Sequence, residues 1–208
     1  MPENIRLRPL RVGDCLEQIT GMLHRAFARL LDMGIACTCA NQTSETTRRR
    51  VGGGVCFVAV AGDCIVGTIT LSAPDAASDS RHYRQAGVAS VRQLAVDPRF
   101  QAQGIGKALL HVAACLARDL GYGSLALNTP EAAAHLIGYY RSQGFRLVEQ
   151  LQFSGRPYCS AVLSKTVLQA AIRDHRPLRP FPGSSRCGPG SGCVLRLFRR
   201  PSKAAAER

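Results

Sequence analysis

Apolar positions along the chain change their period several times, and each change marks an element. Ile5-Arg6-Leu7-Arg8 alternates with period two and predicts a strand. After a turn at 9–13, Asp14 stands where a helix N-cap is expected. Leu16, Ile19, Leu23, Ala26, Phe27 and Leu30 then recur at helical spacing as far as Gly34. Residues 37–47 are polar and read as a loop, followed by a short basic helix over 46–51 that ends at Gly52-Gly53-Gly54. The apolar, β-branched runs 55–60 and 65–71 flank Ala61-Gly62-Asp63, which is turn chemistry, so they predict a hairpin. A polar loop fills 74–85, and 88–96 is a further strand stopped by Asp97-Pro98. Residues 106–120 form a strong helix with an apolar face at Ala108, Leu109, Val112, Cys115, Leu116 and Leu120. A short strand at 125–127, a helix over 131–142 capped by Gly144, and a strand pair at 145–152 and 158–164 complete the pattern. The order is that of one mixed α/β domain without internal repeats.

Composition adds a boundary. The net charge is +13, of which residues 1–168 contribute +6 and residues 169–208 contribute +7. The last segment is rich in Pro, Gly and Arg and shows no sustained period, a composition that cannot bury enough apolar surface to offset chain entropy. We therefore expect a folded domain over 1–168 and a disordered basic tail over 169–208. A basic tail can touch nucleic acid or acidic membranes, but the plainer reading is a solvated extension. No window is long and apolar enough for a membrane helix, and the N-terminus has no signal core, so a cytoplasmic protein is expected. Nine cysteines are present. Cys15, Cys56, Cys64, Cys115 and Cys159 lie singly in apolar segments, where a thiol behaves as a small hydrophobe. Cys37 and Cys39 form C-x-C, and Cys187 and Cys193 sit in the tail. Without paired C-x-x-C clusters, neither zinc nor a disulfide framework is expected.

The candidate chemistry lies between the strand at 88–96 and the helix that follows. A helix N-terminus presents unpaired N–H groups and partial positive charge, which phosphate oxygens satisfy. Gly104 and Gly106 allow an anion close to the backbone, and Lys107 adds a cation. A plain strand-to-helix turn would look the same. Two nucleotide loops are excluded by count: a dinucleotide fingerprint needs Gly at position 109, which is Leu109, and a Walker loop needs Gly at 101 and Ser or Thr at 108, which are Gln101 and Ala108.

What remains is Q-x-x-G-x-G at 101–106 after Leu94-Ala95-Val96-Asp97-Pro98, with Tyr140-Arg141-Ser142-Gln143-Gly144-Phe145 downstream as Y-x-x-x-G-F. At these residues, and in Ala108-Leu109-Leu110, Ile5-Arg6-Leu7-Arg8-Pro9 and Ile65-Val66-Gly67-Thr68-Ile69, the chain resembles the GNAT (GCN5-related N-acetyltransferase) superfamily over about 4–165. The resemblance implies a mixed, mostly antiparallel sheet flanked by helices and splayed between its fourth and fifth strands. It implies acetyl-CoA, or sometimes another acyl-CoA, as co-substrate and an amine as acceptor. No metal and no membrane partner are expected, nucleic acid could be met only by the basic tail, and a monomer or homodimer is expected. The backbone of Leu94, Ala95 and Val96 would pair with pantetheine, Leu94 or Val96 offering an N–H near the thioester carbonyl. The amides of Gln101, Ala102, Gln103, Gly104, Ile105, Gly106 and Lys107 would hold the pyrophosphate. Tyr140 matches the Tyr that protonates the departing thiolate, whereas Tyr139 is expected to be core or cofactor-packing.

Two departures stand out. Where many relatives have Asn seven residues before that Tyr, this chain has Ala133, and Asn128 at the strand end is an inexact substitute for contacting CoA. No Glu or His lies in 88–96 to serve as general base; Gln93 could order a water, and His82, His111 and His135 are isolated. The segments 32–53 and 74–87 would line the acceptor side, where Arg48-Arg49-Arg50 and Arg81-His82-Tyr83-Arg84 either favour an acidic acceptor or form a solvated face. The missing carboxylate leaves open a non-catalytic acyl-CoA-binding module with a tail that contacts nucleic acid.

Overall fold

The computed structural model describes residues 4–167. Seven strands form one sheet: β1 (Ile5–Pro9), β2 (Val55–Ala61), β3 (Cys64–Ser72), β4 (Val88–Val96), β5 (Ser124–Pro130), β6 (Arg146–Leu151) and β7 (Ser160–Thr166), in spatial order β1-β2-β3-β4-β5-β7-β6. Every neighbouring pair is antiparallel except β4 and β5, which run parallel. Five helices are α1 (Leu16–Asp32), α2 (Thr38–Asn41), α3 (Ser44–Gly52), α4 (Ile105–Asp119) and α5 (Ala134–Ser142), with one 3₁₀ turn at Pro98–Phe100.

The inner strands are covered on both faces, which explains why 55–60 and 65–71 read as apolar, β-branched runs rather than as a strict alternation. Side chains alternate across a strand. Val58 and Val60 meet Ile19, Met22 and Leu23 of α1, whereas Ala59 joins Leu109, Leu110 and Ala113 of α4 on the opposite face. Sequence and structure differ on the face of α4. Its buried residues are Ile105, Leu109, Leu110, Ala113 and Ala117, with Val112, Cys115 and Leu116 only partly buried. The helix lies close to the sheet: a Cβ on Gly67 would stand 3.2 Å from Leu109 Cδ1 and from the Ala95 carbonyl oxygen. The inner face of α4 thus combines Ile105, Leu109 and Leu110 with the small Ala113 and Ala117.

Other expectations change in detail. Asp14 does not cap α1; Cys15 is the N-cap residue and makes no side-chain cap bond. The Asp14 carboxylate instead receives both arms of Arg8 at 2.7 Å and the Arg11 N–H at 2.7 Å, a bidentate charged pair that outcompetes a cap. The polar segment 37–47 contains the short α2 as well as the Thr43 side-chain cap of α3. The last helix begins at Ala134 rather than at 131, because Glu131 still donates its N–H to the Cys159 carbonyl and extends the β5–β7 ladder. Cys15, Cys64 and Cys159 are exposed and Cys115 is half-buried, so of the five single thiols only Cys56 is buried; Cys37 and Cys39 are buried as well. Residues 169–208, with Cys187 and Cys193, lie outside the described residues.

The sheet opens at its centre. β4 pairs with β5 only at Val88, Ala89 and Ser90, opposite Ser124, Leu125 and Ala126. Beyond Ser90 the strands part, while β4 stays paired with β3 as far as Val96 and β5 with β7 as far as Pro130. The β3–β4 register shifts between Thr68 and Thr70, and Gln93 takes φ +53° at the bulge on β4.

Candidate active site

The opening between β4 and β5 is flanked by two cavities. The first, about 600 Å³, is bounded by Leu94, Ala95 and Val96, by the turn after β4 and by one face of α5. The second, about 320 Å³, is bounded by the loops after β3 and β6, by β5 and by the end of α3. Phe27, Leu30, Leu94, Leu136 and Tyr140 line both, so the two spaces meet at the bulged strand and the Tyr140 ring.

The turn from β4 into α4 is built by its backbone. Ala102 takes φ +59° and Gly104, the N-cap of α4, takes φ +81°. Left-handed residues of this kind are used by loops that gather amide groups into an anion-binding concavity. The Gln101 side chain donates to the Val96 carbonyl oxygen at 3.0 Å and ties the turn to the strand end. Asp97 anchors it from below: it accepts from Arg25 of α1 at 2.7 Å and from the Arg99 N–H at 3.1 Å. The Arg99 guanidinium, with Arg25, holds that carboxylate well below its usual range although burial opposes ionisation. Lys107, Arg25, Arg29 and His135 surround the cavity with basic groups.

Of the residues singled out in the sequence, Leu94, Ala95, Val96, Gln101, Ala102, Gly104, Ile105, Gly106, Lys107 and Tyr140 line this first cavity together. Gln103 is exposed on the turn and is not part of its lining. Asn128 lines the second cavity, where its Oδ1 accepts from the Tyr83 hydroxyl at 3.2 Å. Tyr139 belongs to the first cavity, its ring packed edge-on against Tyr140 with centroids 5.4 Å apart. Tyr140 is 9% exposed and also packs edge-on against Phe145. Burial raises its phenol well above the ordinary value, so it remains a protonated donor at neutral pH.

The isolated histidines separate. His111 is exposed on α4 beside Cys115, and His82 sits in the loop held by Glu149, which accepts from Ser80 Oγ and from the Arg81 and His82 N–H groups. Neither lines either of these two cavities, whereas His135 lines the first. Gln93 lines the second cavity, is 4% exposed, and has no partner for either side-chain amide atom. A buried amide in that condition carries a desolvation cost of about 1–3 kcal/mol, which a bound water or ligand would relieve. Nothing in the sequence pattern marks Arg92, Arg156, Tyr158 and Asp75 as sharing this cavity, because β4 and the two loops after β3 and β6 bring them there; of the arginines in the two basic groups, only Arg50 lines it.

Among the described residues no group of three or more His, Cys, Asp or Glu side chains is placed to hold a metal ion, and no helix is long and apolar enough to cross a membrane.

The strand opening, the turn and the Tyr140 helix lie within a segment that matches a known family model, that of the GNAT acetyltransferase family, over residues 29–145. The chain belongs to the GNAT acetyltransferase family. Human N-acetyltransferase 8B is 38% identical over 60 residues, a match that covers 29% of this chain and 26%, about a quarter, of that protein's length. Among solved structures, the ribosomal-protein-S18-alanine N-acetyltransferase of Escherichia coli superposes with a TM-score of 0.61 at 18% identity, covering 81% of this chain and 97% of that one. A GNAT family acetyltransferase from Elizabethkingia anophelis with acetyl-CoA bound has a TM-score of 0.54 at 18% identity, covering 79% of this chain and 99% of its own. At these identities the structural likeness shows the GNAT fold: a seven-stranded, mostly antiparallel sheet flanked by helices with one parallel pair at the opening.

Proposed function

We propose that this GNAT protein is an N-acetyltransferase that moves an acetyl group from acetyl-CoA to a primary amine of a small molecule or protein. The observation that carries the reading is the meeting of the two cavities at Leu94 and Tyr140, with the glycine-containing turn and Lys107 lining one of them. The unpaired stretch of β4 offers backbone groups to the pantetheine amides as an added strand would. The turn at 101–107 receives the pyrophosphate, assisted by Lys107. The acceptor enters through the second cavity.

In the reaction the amine nitrogen attacks the thioester carbonyl carbon, and a backbone N–H at Leu94 or Val96 stabilises the negative oxygen of the tetrahedral intermediate. The C–S bond then breaks, the Tyr140 hydroxyl gives its proton to the thiolate, and an amide remains on the acceptor. The proton lost by the amine leaves through a water held by the unpartnered amide of Gln93, since no carboxylate or imidazole stands on β4. The acetyl-CoA-bound relative supports the donor, and the human relative's name supports an N-acetyl product. Release of free CoA thiol from acetyl-CoA in the presence of an amine panel tests the reading. Amine-dependent release with formation of the acetamide is the expected result; tight CoA binding without release for any amine would leave an acyl-CoA-binding module instead.

A further inference from the structure

The second cavity carries charge that neither Tyr140 nor the turn requires. Its charged lining is Asp75, Asp79, Arg50, Arg92 and Arg156. Both carboxylates are already engaged. Asp75 pairs with Arg92 at 3.2 Å, and Asp79 accepts the Ser154 N–H at 2.8 Å and its hydroxyl at 3.3 Å. Arg50 and Arg156 remain, and among the described residues neither lies within ion-pair distance of a carboxylate.

Both guanidinium groups are nevertheless held in place. Arg50, from α3, uses one nitrogen to donate to Gln42 Oε1 at 2.7 Å and to Cys39 Sγ at 3.3 Å. The Arg156 guanidinium lies 4.8 Å over the Phe153 ring and acts on the Tyr158 hydroxyl. Both line the same cavity, Arg50 beside the buried Cys39 thiol. A guanidinium keeps several N–H donors after one nitrogen is used, and a pair fixed in advance matches the oxygens of a carboxylate or phosphate. Gln93 and Tyr140 line the same space.

We propose that the acceptor is an amine that also bears a carboxylate or phosphate, with Arg50 and Arg156 binding the anionic group in the cavity that Gln93 and Tyr140 share. The inference rests on reading this cavity as the acceptor side. It also sets a selectivity, because three guanidinium groups against two carboxylates leave the lining positive, which favours an anionic group on the acceptor over a second ammonium group.

The test compares amines that differ only at the anionic group: amino acids against their carboxamides, and aminoalkyl phosphates against the corresponding amino alcohols. CoA release at low ionic strength should favour the anionic member by about tenfold or more in kcat/KM, the size expected for a charge-assisted hydrogen bond. The better of the two pairs identifies carboxylate or phosphate as the group. In Arg50→Gln and Arg156→Gln the ratio within a pair should fall towards one, a readout that partial misfolding does not move. Equal or better turnover of the neutral members by the unmodified protein overturns the proposal. If no amine at all is acetylated, the transferase reading fails, and calorimetry with N-acetyl amino acids against N-acetyl amino acid amides, with CoA present, still decides the site. Preferential binding of the acids, lost in Arg50→Gln, upholds it; no preference overturns it.

Discussion

The hydroxyl of Tyr139 lies 2.8 Å from where a Cβ on Gly106 would stand. A Cβ in the first turn of α4 would therefore require the Tyr139 side chain of α5 to move. Its role is a close approach within the protein, one that the spacing of two glycines could not reveal.

Gly106→Ala tests that relationship. In an ordinary helix, alanine in place of glycine gains about 0.5–1 kcal/mol. Here the new methyl group displaces the Tyr139 hydroxyl, so the gain should be absent or reversed. In a Tyr139→Phe background the obstruction is gone and the gain should return. Denaturant unfolding of the four proteins measures the coupling, and additive effects would contradict the contact.

Gly104→Ala should behave differently, since nothing lies within 4 Å of its added methyl group and the obstacle is its φ of +81°. The cost should be about 1–2 kcal/mol of backbone strain in every background, with no relief from Tyr139→Phe. Unfolding midpoints check this directly.

Tyr140→Phe should lower kcat by about 10²-fold, the low end of a general-acid contribution, with the KM for acetyl-CoA little changed. Because burial raises the phenol above its usual value of about 10, the alkaline limb of the unmodified enzyme's pH profile should not report Tyr140. Unaltered turnover in the variant would remove the residue from the mechanism.

Gln93→Met keeps the length of the side chain and removes two buried amide atoms without partners. We expect stability to rise by about 1 kcal/mol and amine acetylation to fall, a trade-off characteristic of a polar group kept for function. The thermal midpoint and kcat, measured on the same preparation, should move in opposite directions.

Asp97 supplies an acid-sensitive element. Its folded pKa lies below its unfolded one, so its contribution is complete above the unfolded value of about 3.9 and is lost as pH falls towards the folded value. At neutral pH Asp97→Asn should be less stable than the unmodified protein, and the difference should narrow below about pH 4. A constant difference in unfolding free energy across that range would show that the Arg25 and Arg99 bonds do not depend on the charge.

Patterning along the chain predicted the strands and the long helices, because a residue's burial on a strand or helix face is a local consequence of period. It also marked the turn at 101–107 and Tyr140, since Q-x-x-G-x-G and Y-x-x-x-G-F are contiguous and tied to the backbone geometry of a strand-to-helix turn and a helix end. The inner face of α4 differs from the pattern because Ala113 and Ala117 are buried in the tertiary structure, and alanine alone does not announce that.

The turn at 101–107 and Tyr140 were thus visible in the chain as written, because short-range sequence fixes local backbone shape. Only the tertiary structure decided that Tyr140 stands where two cavities meet, that Asn128 faces the second of them, and that Arg50 and Arg156 both line it. Those three facts depend on α3, β5 and the loop after β6 being brought together by the sheet and its opening. Residues far apart along a chain carry no shared period that could show them to be neighbours in space.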